Sequence, residues 1–234
     1  LRTVTGPAGS EKIPYLDDPR MVERFACEGY RVVADGIGSF EMANILKDSG
    51  DKYDFAFPSS TPTATRIRQD RPDALVFKTF TSPMIVVTHQ PVVETLRAAG
   101  IVHEGADKAE VFDVEKYIRV ALANERWNQL PQSQVQNPQA VLLKTTDPTD
   151  SNSAAMFVSL VSNVLNDRTV VSTKAQAAKV LPDLCRLLGA QGEKRATSED
   201  LFDDYVVSGI GGTPMALLYE SHGRAKAAVQ KGLP

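Results

Sequence analysis

Leu1-Arg2-Thr3-Val4-Thr5, followed after three residues by Gly9-Ser10-Glu11-Lys12, sets the pattern that decides the fold. An apolar, strand-like run ends in a small loop whose hydroxyl residue opens a helix. The same grammar returns at Arg31–Ala34 before Gly36-Ile37-Gly38-Ser39, and at Tyr53–Phe57 before Pro58-Ser59-Ser60-Thr61. It returns again at Val141–Lys144 before Thr145-Thr146-Asp147-Pro148, where the loop runs on into Ser151-Asn152-Ser153. In open α/β sheets such loops gather at the carboxyl ends of parallel strands, where ligands bind. Each helix start adds unpaired backbone N–H groups and a partial positive charge, which suits anionic or strongly polar oxygens. The repetition predicts a binding cleft.

Outward from these loops, strands and helices alternate, which predicts α/β layers with mostly parallel pairing. Asp18-Pro19 opens a helix with Met21, Val22, Phe25 and Ala26 on its apolar face and Gly29 to end it. Tyr30–Ala34 reads as a buried strand. Ser39 caps a helix that Asp48-Ser49-Gly50 breaks, and Thr61-Pro62 starts another through Arg68. Ala74–Phe77 and Met84–Thr88 read as strands, with a Thr81-Ser82-Pro83 turn between them. Helices follow from Gln90-Pro91 to Gly100 and over Val114–Asn124, and polar, Gln-rich Leu130–Pro138 reads as a surface loop. Beyond it come a helix over Ser153–Val164, a strand at Thr169–Val171, and helices Lys174–Leu181 and Asp183–Leu188 on either side of Pro182. Leu201–Val207 reads as helix, Gly209–Gly212 as a flexible turn and Met215–Tyr219 as a buried strand.

Composition narrows the function classes. The 234 residues suffice for one large domain or two modest lobes. The apolar fraction of 42% and charged fraction of 24% are those of a soluble globular protein. A net charge of −3 without a basic stripe argues against nucleic acid as a partner. No apolar run reaches the roughly 20 residues that span a bilayer. The opening strand has no initiator Met, basic region or apolar region before it, which leads us to expect a removed signal sequence or lipid anchor. Cys27 and Cys185 are expected to be buried free thiols.

The common catalytic signatures are missing, and Gly36-Ile37-Gly38-Ser39-Phe40-Glu41 departs from the dinucleotide fingerprint at its third glycine. His89, His103 and His222 are too scattered to build a metal site and read as surface or second-layer residues. No catalytic residue, metal or cofactor is therefore assigned. Ser10, Ser39, Ser59 and Ser153 read as N-capping hydroxyls that can also face a ligand. Ser60 belongs to the same set through its loop. Asp147-Pro148 fixes a turn. Glu11 and Lys12 are either a solvated pair or pocket residues, and Tyr219 is either a core tyrosine or a hydroxyl in the cleft.

At Gly9–Lys12, Tyr53–Ser59, Ser82-Pro83-Met84 and Thr146–Met156, the chain resembles bacterial extracellular solute-binding proteins of ABC-transporter type. It is most similar to an actinobacterial group of substrate-binding lipoproteins, and more distantly to the molybdate-binding group of the type II periplasmic fold. The resemblance implies two α/β lobes, residues 1–81 and 82–222, with a ligand cleft between them and residues 223–234 as a C-terminal helix or tail. Ser82–Thr88 corresponds to the first crossover. Contacts of the molybdate-binding relatives fall on Ser10 and Ser39, on Asn152-Ser153 and on Tyr219; Lys12, Ser59 and Ser60 complete the expected ligand-binding set. Glu11 and Lys12 place charges where those relatives carry small neutral residues.

The resemblance further implies a cell-surface lipoprotein that hands a small polar or anionic solute, an oxyanion included, to an ABC transporter permease. The alternatives are a solute sensor signalling to a protein partner, and an enzyme using the same cleft. Because the sequence stops before the strand expected to return to the first lobe, a dimer or swapped segment is a further expectation.

Overall fold

A computed structural model of the chain describes residues 1–48 and 52–224. The expected helix break at Ser49-Gly50 and the tail beyond residue 224 lie outside the described residues. About 49% of the described residues are helical, and the strands among them form small sheets.

The first sheet pairs β1 (Arg2–Ala8) with β2 (Tyr30–Gly36) in parallel, from Arg2 opposite Tyr30 to Ala8 opposite Gly36. The chain at residues 53–57 lies along the other edge of β1 and bridges Ala8 in parallel through Phe57. Its contacts are a few backbone hydrogen bonds, such as Asp54 N–H to the Thr5 carbonyl at 2.8 Å. The connections are α1 (Ile13–Leu16) and α2 (Pro19–Cys27) between β1 and β2, then α3 (Ser39–Asp48) and α4 (Thr61–Asp70). Local chemistry starts these helices. The Asp18 side chain accepts from Arg20 N–H with Pro19 following, and Ser60 caps α4 ahead of Pro62.

The second region runs from β3 (Met84–Thr88) through α5 (Gln90–Ala98), the hairpin β4 (Val102–Glu104) and β5 (Glu110–Phe112), and α6 (Val114–Leu122). It continues with α7 (Asn152–Leu165), α8 (Lys174–Ala190), α9 (Ser198–Gly212) and β6 (Met215–Tyr219). β3 and β6 pair antiparallel, and β6 is also bridged in parallel by Lys144. The large apolar core lies here: Trp127, Tyr117, Phe157, Leu96, Ile101 and Met215 are all buried. Tyr117 is buried within it, and its hydroxyl accepts from Leu143 N–H at 2.8 Å.

Several expectations are corrected. Among the described residues, β1–β2 is a parallel pair, whereas β3–β6 and β4–β5 are antiparallel. β2 is present but largely exposed, since only one neighbour pairs with it and few residues cover it. Residues 74–77 and 169–171 are not strands, and the β4–β5 hairpin was not anticipated. Residues 53–57 and 141–144 make bridges rather than regular strands. Pro182 does not interrupt α8, which is continuous over its 17 residues, while Gly209 (φ 55°) kinks α9 where a turn was expected.

Leu130 and Val135 of the supposed surface loop are buried against the core. Val22 is exposed on α2. Both cysteines are exposed free thiols. On α8 the inward residues Val180, Leu184 and Leu187 follow helical spacing, and Cys185 sits one residue, about 100°, off that face. His222 is buried, and its Nε2 lies 3.4 Å from a Glu199 carboxylate oxygen.

Candidate functional site

The loop after β1 becomes a short 3-10 turn, Ser10–Lys12, introduced by Gly9. The loop after β2 delivers Ile37 and Gly38 to the start of α3, and the segment after Phe57 delivers Ser59. From the second region come Ser151 and Asn152 at the start of α7, Thr197 and Ser198 at the start of α9, and Tyr219 at the end of β6. These residues line one cleft with about 220 Å³ of space, its open mouth included. The space clear of its walls is about 10 Å³, room for about one water molecule, so the walls must part to admit a solute of several heavy atoms.

Two glycines let the walls close. A Cβ on Gly38 would stand 2.2 Å from the Asp150 carbonyl oxygen, so the loop after β2 can touch the loop before α7 only without a side chain. A Cβ on Gly9 would stand 2.5 Å from Ser59 Oγ. Asp147 shapes the facing loop. Its Oδ1 accepts from Thr149 N–H at 2.8 Å and from the Thr149 hydroxyl at 2.6 Å, and it is not among the lining residues.

A buried ionic cluster forms one wall. Lys12 Nζ donates to Glu11 Oε1 at 2.5 Å and to Ser59 Oγ at 3.0 Å, and Ser59 Oγ donates to the same Glu11 oxygen at 2.5 Å. Side-chain exposure is 6% for Lys12 and 11% for Glu11, so this is an interior pair rather than a solvated one. Lys12 also lies 5.0 Å from the Phe57 ring centroid. Burial alone would raise the Glu11 carboxyl, but the charge and hydrogen bond of Lys12, with Ser59 helping, hold it below its ordinary value.

Across the cleft, Tyr219 Oη accepts from Asn152 Nδ2 at 3.0 Å. Burial, aided by the Glu11 charge and opposed by the hydrogen bonds of Asn152 and Ser59, pushes this phenol up to about 12, so it keeps its proton at neutral pH. Behind the wall, Ser153 Oγ is the hub of a hydroxyl network reaching Thr146 at 2.6 Å, Ser151 at 2.9 Å and Ser198 at 3.0 Å.

Of the residues singled out in the sequence, Ser10, Ser39, Ser59, Asn152 and Tyr219 meet in the cleft lining. Lys12 and Ser153 lie directly behind it. Ser60 is set apart, bonded to Thr63 as the cap of α4. Ser39 was expected to cap its helix; instead its Oγ accepts Ser59 N–H at 3.0 Å and ties two loops together. Gly9, Ile37, Gly38, Ser151, Thr197 and Ser198 also line the cleft. Thr197-Ser198 opening an acidic helix start (Glu199, Asp200) is a capping signal that could have drawn attention to them. Among the described residues no group of His, Cys, Asp or Glu is placed to hold a metal ion, and no helix is long and apolar enough to cross a membrane.

No family model matches the chain, and no curated protein matches it in sequence. Among solved structures, the sulfate-binding protein SubI from Mycobacterium tuberculosis H37Rv is similar with a TM-score of 0.56 and 14% identity. The match covers 100% of this chain and 69% of that one. At this identity the likeness speaks for the α/β fold alone.

Proposed function

We propose that this protein is a non-enzymatic receptor that captures a small polar or anionic solute in the cleft and passes it to an ABC transporter permease at the cell surface. The observation that carries this reading is the convergence of the starts of α3, α7 and α9 on one small, hydroxyl-lined cavity. Helix starts aim N–H groups and the positive ends of their dipoles at a bound oxygen, and no full cationic side chain is required. The similarity to a sulfate-binding structure supports an oxyanion as the ligand class.

In this reading residues 1–81 and 82–222 are two lobes that close on solute by a hinge. Two segments run side by side where that hinge would lie: Glu220 N–H donates to the Pro83 carbonyl at 2.9 Å and Ser221 N–H to Ser82 Oγ at 3.1 Å. Ser10, Ser39, Ser59, Asn152 and Tyr219 touch the ligand, and Lys12 and Ser153 brace them. Lipid anchoring and extracellular location belong to the same proposal.

A thermal-shift screen over molybdate, tungstate, sulfate, phosphate and small carboxylates tests it. Ligand at a hundred times its Kd stabilises by about 2.7 kcal/mol, an easily read rise in Tm. Flat melting curves across the whole panel would overturn the oxyanion reading.

One observation favours a second reading. Ser59 Oγ has a carboxylate at 2.5 Å and an ammonium at 3.0 Å, a nucleophile with a base in reach. The lowered Glu11 carboxyl is a weak base for a serine proton, so the receptor reading is preferred. Turnover of a reporter ester that disappears in Ser59→Ala would reverse that preference.

A further inference from the structure

Between α4 and β3 the chain has the composition of a strand without a strand's partner. Ala74-Leu75-Val76-Phe77-Lys78-Thr79-Phe80-Thr81 is rich in the β-branched and aromatic residues that favour strands, yet it forms no regular element. Leu75 and Phe77 are 82% and 78% exposed, and Val76 and Phe80 are more than half exposed. From Leu75 to Thr81 no backbone N–H or carbonyl is hydrogen-bonded among the described residues. Both ends are nevertheless held. Ala74 N–H donates to the Arg71 carbonyl at 3.1 Å, and the Phe80 ring packs edge-on against Tyr15 and Phe57 at centroid distances of 5.8 and 5.5 Å. Unpaired N–H and carbonyl groups flanked by exposed apolar side chains are a template for another strand.

We propose that residues 73–78 pair with the same residues of a second copy as an antiparallel strand pair, making a homodimer whose two-fold axis passes between Leu75 and Val76. The pairing goes beyond the receptor reading and does not depend on it, since none of these residues lines the cleft.

Charge selects both the partner and the register. Asp73 and Lys78 are the charged residues of this stretch, and neither has an ionic partner among the described residues. Antiparallel pairing about that axis sets Asp73 of each copy opposite Lys78 of the other, Ala74 opposite Phe77 and Leu75 opposite Val76. Opposite charges facing each other across a strand pair attract, and like charges repel. A parallel in-register pair would set Lys78 against Lys78 and Asp73 against Asp73. Beyond Asp73 stands Pro72, which has no N–H and ends the ladder at six residues, an ordinary strand length. The same patch serves both copies, so the assembly closes at two.

The surface is large enough. At roughly 150–250 Å² for a whole aromatic side chain, Leu75, Val76, Phe77 and Phe80 leave on the order of 500 Å² uncovered. The largest apolar patch on an ordinary monomer is about 300–600 Å², and each partner in a stable complex buries roughly 800 Å².

Sedimentation velocity of the full chain over a dilution series tests the proposal. The mass is expected to rise with concentration from the 25.4 kDa of one chain to twice that value and no further. Lys78→Asp opposes two carboxylates at each end of the ladder and is expected to weaken the dimer about tenfold or more. Asp73→Lys/Lys78→Asp rebuilds both pairs with their signs exchanged and is expected to restore the affinity to within about threefold. Hydrogen exchange gives a second readout: amides within residues 74–78 are expected to slow as the dimer forms. A monomer at every concentration would overturn the proposal, and slow exchange of the segment in that monomer would show that residues of the same chain cover it. Growth beyond two chains would overturn the closed two-fold pairing. A dimer indifferent to Lys78→Asp, or not rescued by exchanging the two charges, would place the interface elsewhere and overturn it as well.

Discussion

Replacing Lys12 by Met removes the counter-charge from Glu11 while keeping most of the buried volume. Both side chains are nearly inaccessible, at 6% and 11% exposure, so solvent cannot take over the role of the ammonium. Breaking one side of a buried ion pair costs about 3–5 kcal/mol, because the surviving charge is left uncompensated. In a chain of this size 1 kcal/mol moves Tm by about 2–4 °C, so Lys12→Met is expected to melt about 6–20 °C lower at pH 7. The pH dependence gives an independent check. In the unaltered protein the folded Glu11 carboxyl lies below its ordinary 4.5, so its stabilisation is present above that value and is lost as pH falls through the folded one. Without Lys12, burial becomes the dominant influence and pushes the folded carboxyl above 4.5, so the variant is penalised as pH rises through the new value. The gap between the two proteins should therefore narrow steadily from pH 7 down to about pH 4 in thermal melts. The double variant Lys12→Met/Glu11→Gln should recover part of the loss at pH 7. A gap under about 1 kcal/mol at pH 7, or one that does not narrow in acid, would refute the view of this pair as an interior ionic bond.

Three other outcomes follow from the packing. Gly38→Ala drives a methyl against the Asp150 carbonyl; a loss of about 1–3 kcal/mol is expected in urea unfolding, together with a smaller solute-induced rise in Tm. Tyr117→Phe leaves the buried Leu143 N–H unpaired and should cost about 1–3 kcal/mol in the same assay, whereas an effect near zero would mean that another acceptor reaches that N–H. Cys27 and Cys185 are both exposed, so a thiol reagent should modify both in the native protein without denaturant; protection of either would contradict the placement of its helix.

Helix starts were legible because they are local events. Asp18-Pro19, Ser60-Thr61-Pro62 and Gln90-Pro91 each carry their own start signal, and the structure begins α2, α4 and α5 there. The joining of β1 and β2 through a helical connection followed from the strand–loop–helix grammar in the same way. The hydroxyl loops near residues 10, 39, 59 and 152 were also visible from the sequence, since small polar residues after an apolar run mark both caps and strand ends. Five of the singled-out residues do meet in one cleft lining.

The sequence by itself determined where the chain turns helical and which loops carry hydroxyls and N–H donors, because those choices depend on neighbours within a few residues. Tertiary structure alone decided which of those loops share a wall and which charge faces inward. Glu11 and Lys12 are adjacent in sequence, yet one lines the cleft and the other braces it from behind, because Ser59 arrives 47 positions later than Lys12 to bind both. Ser39, read as a cap, bonds a neighbouring loop instead, and Cys185 turns outward because α8 is rotated to bury Val180, Leu184 and Leu187. Long-range contacts set these outcomes, and a local pattern of residues holds no record of the partner that will be packed against it.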